Sequence, residues 1–96
     1  GGSWSLTPDG WSLLAPTRVV IGLTSMERSL LQYLFEHAGE VASRSSLVLA
    51  LGHRLDYYDN HRLDVLVSRL RRKVKSEAGC VLPLRAVRGH GFILSL

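Results

Sequence analysis

Cysteine, methionine and proline are all scarce in these 96 residues, which hold one Cys, one Met and three Pro. The single cysteine, Cys80, cannot form an internal disulfide, so the fold is not a cross-linked scaffold and suits a reducing compartment. Cys80 reads as a small, partly buried loop residue. No apolar run approaches the roughly 20 residues that a membrane-spanning helix needs, so the fragment is expected to be soluble and cytoplasmic, with no membrane contact. His37, His53, His61 and His90 lie far apart. Neither a Cys-x-x-Cys nor a His-Glu-x-x-His spacing occurs, so no metal and no cofactor is expected. No serine stands in a Gly-x-Ser-x-Gly frame, and Gly89-His90-Gly91 is not a phosphate loop, which leaves an enzyme without a catalytic residue.

What is present is ordinary for one globular domain, with 46% hydrophobic and 21% charged residues and enough length for a single modest core. Gly1, Gly2 and Ser3 read as an expression scar, and residues 4–96 as the domain. The charges are distributed unevenly. Residues 1–59 hold four Arg against six acids, a balance of −2, while residues 60–96 hold eight Lys or Arg against two acids, a balance of +6. Residues 60–77 alone carry six cations against Asp64 and Glu77, which equals the +4 of the whole chain. A cationic half joined to a mildly acidic one points to a polyanion docking on one face.

Residues 60–77 are the centre of the reading. At about 100° per residue, Leu63, Val67, Leu70 and Val74 form a narrow apolar stripe with Leu66 at its edge, the pattern of an amphipathic helix on a core. Either Asp59 or Asn60 serves as N-cap, and Gly79 as the stop. The opposite side carries His61, Arg62, Val65, Ser68, Arg69, Arg72 and Ser76. A cationic helix face can simply be solvated. Val65 favours another use, since a β-branched residue amid arginines suits a thymine methyl in a major groove while the arginines reach guanine edges or phosphates.

Around this helix the chain reads as support. Trp4, Leu6 and Trp11, Leu13 alternate with polar residues about Pro8-Asp9-Gly10, predicting two short strands and a turn; Arg18, Val19, Val20 and Ile21 predict another, ending at Gly22. Thr24-Ser25-Met26-Glu27 has capping-box spacing and predicts a helix whose buried face holds Met26, Leu30, Leu31, Leu34 and Ala38, with Gly39 as its stop. Ser43 caps a shorter helix from Arg44 to about Leu51, burying Leu47, Val48 and Leu51 and ending at Gly52. Residues 53–59 read as a polar loop in which one of Tyr57 and Tyr58 packs inward. After Pro83, residues 84–87 and 92–94 predict a hairpin turning at Gly89-His90-Gly91. Arg88 beside this tip can either sit on a plain sheet closure or reach a narrow minor groove.

Taken together, LTSMERSLL, SRSSL, LDVLVSRLRRKV and LRAVRGHGF resemble, in order and spacing, the OmpR/PhoB family of winged helix-turn-helix DNA-binding domains, the output domains of bacterial response regulators. The resemblance covers residues 4–96. It implies an α+β fold: a four-stranded N-terminal antiparallel sheet, three helices with the third as recognition helix, and a C-terminal β-hairpin as wing. It implies sequence-specific binding of double-stranded DNA by head-to-tail dimers on direct-repeat promoter sites, a receiver domain N-terminal to this one, and transcriptional control in a two-component system. By position, Val65 and Arg69 match base-facing sites, Ser68 and Arg71 match sites near bases or phosphates, and Arg88 matches the minor-groove arginine of the wing, with His90 next to it on the tip. His61, Arg62 and Arg72 complete the expected DNA-contacting set on the helix. The loop before the recognition helix, with Arg54, Asp56, Tyr57 and Tyr58, is implied to touch RNA polymerase. Three positions depart from the family pattern. His61 stands where many members have Arg, Leu66 replaces a His that often meets a phosphate, and Ala86 replaces a Thr that can do the same. Two other readings stay open: the DNA-binding part of a ToxR-like, membrane-anchored regulator, or a winged-helix module that binds protein.

Overall fold

The computed structural model describes residues 3–52 and 57–96, and of residues 57–60 the backbone alone. Among the described residues, the elements run β1 (Ser5–Leu6), β2 (Ser12–Leu14), β3 (Val20–Gly22), α1 (Ser25–Glu36), β4 (Val41–Ser43), α2 (Arg44–Ala50), α3 (Tyr57–Ala78), β5 (Leu84–Val87) and β6 (Gly91–Leu94). The strands form two antiparallel three-stranded sheets, ordered β1-β2-β3 and β4-β6-β5.

The first sheet is built from local turn chemistry. The Thr7 hydroxyl donates to Asp9 Oδ1 at 2.6 Å and the Trp11 N–H donates to the same oxygen at 2.9 Å, closing the β1–β2 turn. These bonds, with that of Thr7 the leading cause, hold the Asp9 carboxyl below its usual value. The third strand begins later than expected. Arg18 has φ +69° and its N–H donates to the Ala15 carbonyl at 2.9 Å, so it belongs to the turn that feeds β3. The sheet has three strands among the described residues, not the four that the resemblance implied.

The helices start where their caps dictate. Thr24 and Glu27 form the expected capping box on α1. The helix closes at Glu36 with His37 as C-cap, so Ala38 falls beyond it and is exposed, contrary to expectation. In the first turn it is Glu27, not Met26, that is buried. Ser43 caps α2, its hydroxyl accepting from the Ser46 N–H at 3.1 Å, and Leu47 and Val48 are buried beneath it while Leu51 is half-buried. Helix α3 begins at Tyr57, so Asp59 and Asn60 lie in its first turn instead of capping it, and the expected loop of residues 53–59 is shortened from its C-terminal end. An acidic residue is favourable in that first turn because it meets the positive end of the helix dipole. At the other end, Gly39 and Gly79 have positive φ, as helix stops should.

One strand was not expected at all. β4 joins the C-terminal hairpin, pairing Val41 with Ile93, Ala42 with Phe92 and Ser43 with Gly91. It ties the start of α2 to the wing. The core lies between the two sheets and the helices and takes Leu13 and Ile21, Leu30, Leu31 and Leu34, Leu47 and Val48, then Leu63, Val67, Leu70 and Val74, and finally Leu82, Leu84, Phe92 and Leu94. The stripe predicted on the third helix is thus its buried face. Leu66 at its edge is half-buried against the same cluster, and so is Cys80.

Candidate nucleic-acid interface

Helix α3 is fixed to the rest of the domain on two flanks, which decides what its exposed side can present. On one flank, Lys73 Nζ donates to the Gly22 carbonyl at 2.6 Å and to Glu27 Oε1 at 2.9 Å. Glu27 is buried, and the same oxygen accepts the Thr24 N–H at 2.9 Å, so the capping residue of α1 also anchors α3. At the C-terminal end the Thr17 hydroxyl donates to the Ala78 carbonyl at 3.0 Å, satisfying one of the acceptors that a helix end leaves open. Lys73, one of the six cations of residues 60–77, is therefore a structural residue.

The other flank faces the second sheet. There Arg44, at the start of α2, puts Nη2 2.7 Å from Asp64 Oδ1, and its guanidinium carbon lies 5.6 Å from the centre of the Phe92 ring. Between this flank and the wing runs a groove of about 460 Å³, lined by Asp64, Val67, Ser68, Arg71, Arg72 and Lys75 of the helix and by Val81 and Phe92 opposite. Three of these lining residues are cations, so the groove offers a row of donors to an anion.

His61, Arg62, Ser68, Arg69, Arg71 and Arg72 are exposed along α3, and Val65 is half-buried among them. Ser68, Arg71 and Arg72 meet on the groove, whereas Arg69 stands outside it. Arg88 and His90 are exposed at the wing tip, where the His90 N–H donates to the Val87 carbonyl at 2.9 Å. Of the proposed polymerase-contacting residues, Arg54 and Asp56 lie outside the described residues, and Tyr57 and Tyr58 belong to the first turn of α3, where only the backbone is described. Lys75 and Arg44 were not singled out from the sequence. Lys75 follows the helical period of Ser68, Arg71 and Arg72, and could have been found that way; the partners of Arg44 are far off in the chain. Leu66 is turned to the core, and Ala86 is exposed on β5 without a hydroxyl to offer.

Among the described residues, no group of three or more His, Cys, Asp and Glu side chains could hold a metal ion, and no helix is long and apolar enough to cross a membrane.

Comparison with known proteins agrees with this geometry. Residues 18–94 match the family model described as "Transcriptional regulatory protein, C terminal". The chain is 34% identical over 77 residues to the transcriptional regulatory protein PhoP of Escherichia coli K12, covering 80% of this chain and 34% of that protein. It therefore spans about a third of the length of that curated relative. Among solved structures, the DNA-binding domain of CpxR from E. coli is 30% identical with a TM-score of 0.77, covering 96% of this chain and 89% of that one. The DNA-binding domain of Bacillus subtilis CssR is 27% identical with a TM-score of 0.74, covering 96% and 99%. With its two sheets, three helices and terminal hairpin among the described residues, the chain belongs to the OmpR/PhoB family of winged helix-turn-helix DNA-binding effector domains of response regulators.

Proposed function

We propose that this chain reads a specific double-stranded DNA sequence with α3 in the major groove and the β5–β6 hairpin as a wing in the adjacent minor groove. The observation that carries this is the exposed cationic side of α3, running beside the wing sheet along one groove. Val65 and Arg69 read base edges. Ser68, Arg71, Arg72 and the neighbouring His61 and Arg62 hold the sugar-phosphate backbone, and Arg88 with His90 enters the minor groove.

Within a longer protein, we place this domain after a receiver domain in a two-component regulator of the bacterial cytoplasm. That the chain matches only 34% of its PhoP relative supports a further domain. Two copies lie head to tail on a direct repeat, and residues 54–58 face RNA polymerase. Selection of bound duplexes from a random pool, followed by gel shift on the winners, tests the reading. The expected product is a half-site repeated in the same orientation about one helical turn, roughly 10 base pairs, apart. Inverted half-sites would overturn the head-to-tail arrangement, and a pool that stays random would overturn sequence reading altogether.

A further inference from the structure

Arg44 lies outside the DNA-contacting set but joins the parts that the set depends on. It is the first residue of α2, directly after β4, its guanidinium bonds Asp64 of the recognition helix at 2.7 Å, and it lies over the ring of Phe92 on β6 at 5.6 Å. Phe92 is 4% exposed, so the ring is a fixed surface. Asp64 directly precedes Val65 and shares the groove wall with Ser68, one helical turn on.

The Arg44 and Asp64 side chains are 35% and 54% exposed. A pair so wet contributes little to stability, because solvent screens the attraction and two long side chains must be held still. Its geometry matters more. A guanidinium is planar, with donors in a fixed fork, and can stack on a ring face while bonding a carboxylate in its own plane; an ammonium is a point charge and fixes no plane. Arg44 thus sets where α3 stands relative to the wing strand. Base-edge contacts demand that placement, since a contacting constellation must be held to within about 0.5 Å. Long cations reaching phosphates tolerate a tilt.

We propose that Arg44, held against Phe92 and bonded to Asp64, is a positioning residue for sequence discrimination: it fixes the recognition helix relative to the wing so that Val65 and Arg69 meet the correct bases. The proposal rests on the DNA-reading assignment above. Two outcomes keep them distinguishable: a wild-type domain that enriches no sequence from a random pool sinks the assignment, whereas a domain that enriches one allows Arg44 to be tested alone.

The test compares wild type, Arg44→Ala, Arg44→Lys, Asp64→Asn and the double variant Arg44→Ala/Asp64→Asn on the selected duplex and on a scrambled duplex, with melting temperatures in parallel. We expect Arg44→Ala and Asp64→Asn each to lower affinity for the selected duplex about tenfold, the scale of one misdirected base contact. Affinity for the scrambled duplex and the salt dependence should be unchanged, and the double variant no worse than either single one. Arg44→Lys should fail to restore discrimination despite its charge. Equal losses on both duplexes with a shallower salt dependence would make Arg44 a phosphate contact and overturn the proposal. So would a lower melting temperature with discrimination intact. If Arg44→Ala does not fold, the Asp64→Asn and Arg44→Lys variants decide, and unchanged discrimination in both refutes the positioning role.

Discussion

Arg69 and Arg72 are both exposed on α3, yet only Arg72 lines the groove toward the wing. On the proposed docking, a strand of DNA backbone crossing between a helix in the major groove and a hairpin in the minor groove runs along that groove, which assigns Arg72 to phosphate. Arg69 lies one helical turn beyond Val65 and outside the groove, where base edges would be. Arg69→Ala should therefore relax preference at one base pair and cost about 1–3 kcal/mol on the selected site, while Arg72→Ala weakens all sequences evenly. Sequence-resolved binding of both variants checks this, and identical profiles with only a uniform loss would erase the division. The exposed side of α3 was legible because helical period alone separates it from Leu63, Val67, Leu70 and Val74, which are buried. Lys73 was not, because its partners Glu27 and Gly22 lie 46 and 51 residues away and only the fold brings them together. The same holds for Arg44, whose use depends on Asp64 and Phe92.

At the scale of elements, legibility followed the range of the cause. Caps and turns act within a few residues, so Thr24-Glu27, Ser43 and the Asp9 turn could be read directly. β4 could not, since three residues carry too little pattern and its partner β6 is some fifty residues on. That pairing makes the wing a three-stranded structure and gives its two glycines different duties. Gly89 has φ +78° with open space around it, whereas a Cβ on Gly91 would collide with the Ala42 carbonyl oxygen on β4. Gly89→Ala should then cost about 1–2 kcal/mol for the left-handed backbone, and Gly91→Ala more than about 3 kcal/mol because backbone must move apart. Thermal melts of the two variants order them, and equal losses would mean that β4 yields freely. Arg88 sits on the same hairpin but is exposed, so Arg88→Ala should leave melting nearly unchanged. Its loss should show instead in binding, most where A·T base pairs flank the core site, because a narrow minor groove draws a guanidinium more strongly. Measuring wild type and variant on one core site with A·T or G·C flanks decides it, and equal losses would make Arg88 a plain phosphate contact.

For the molecule as a whole, the controlling quantity is how many of its cations remain available to DNA. Residues 60–96 hold eight Lys or Arg, and the structure divides them. Lys73 is bonded to Glu27 and Gly22, whereas Arg69, Arg71, Arg72, Lys75, Arg85 and Arg88 have exposed side chains. On the proposed docking Arg69 meets a base and the other exposed cations of the helix and the wing face the backbone, so about four to six phosphates would be neutralised, and log K should fall against log salt with a slope of roughly −4 to −5. The acidic first half, at −2, adds no counterion release of its own, and at physiological ionic strength its repulsion is screened beyond about 8 Å. The partition gives a sharper test than the slope itself. Lys75→Ala should make the slope shallower by about one, since Lys75 lines the groove, while Lys73→Met should lower the melting temperature and leave the slope where it was. A net-charge account of binding predicts the same change in slope for both variants, because each removes one positive charge. Gel shifts across a salt series therefore separate a cation that faces DNA from one that faces the fold, and a shared change in slope would mean that Lys73 leaves Glu27 when DNA arrives.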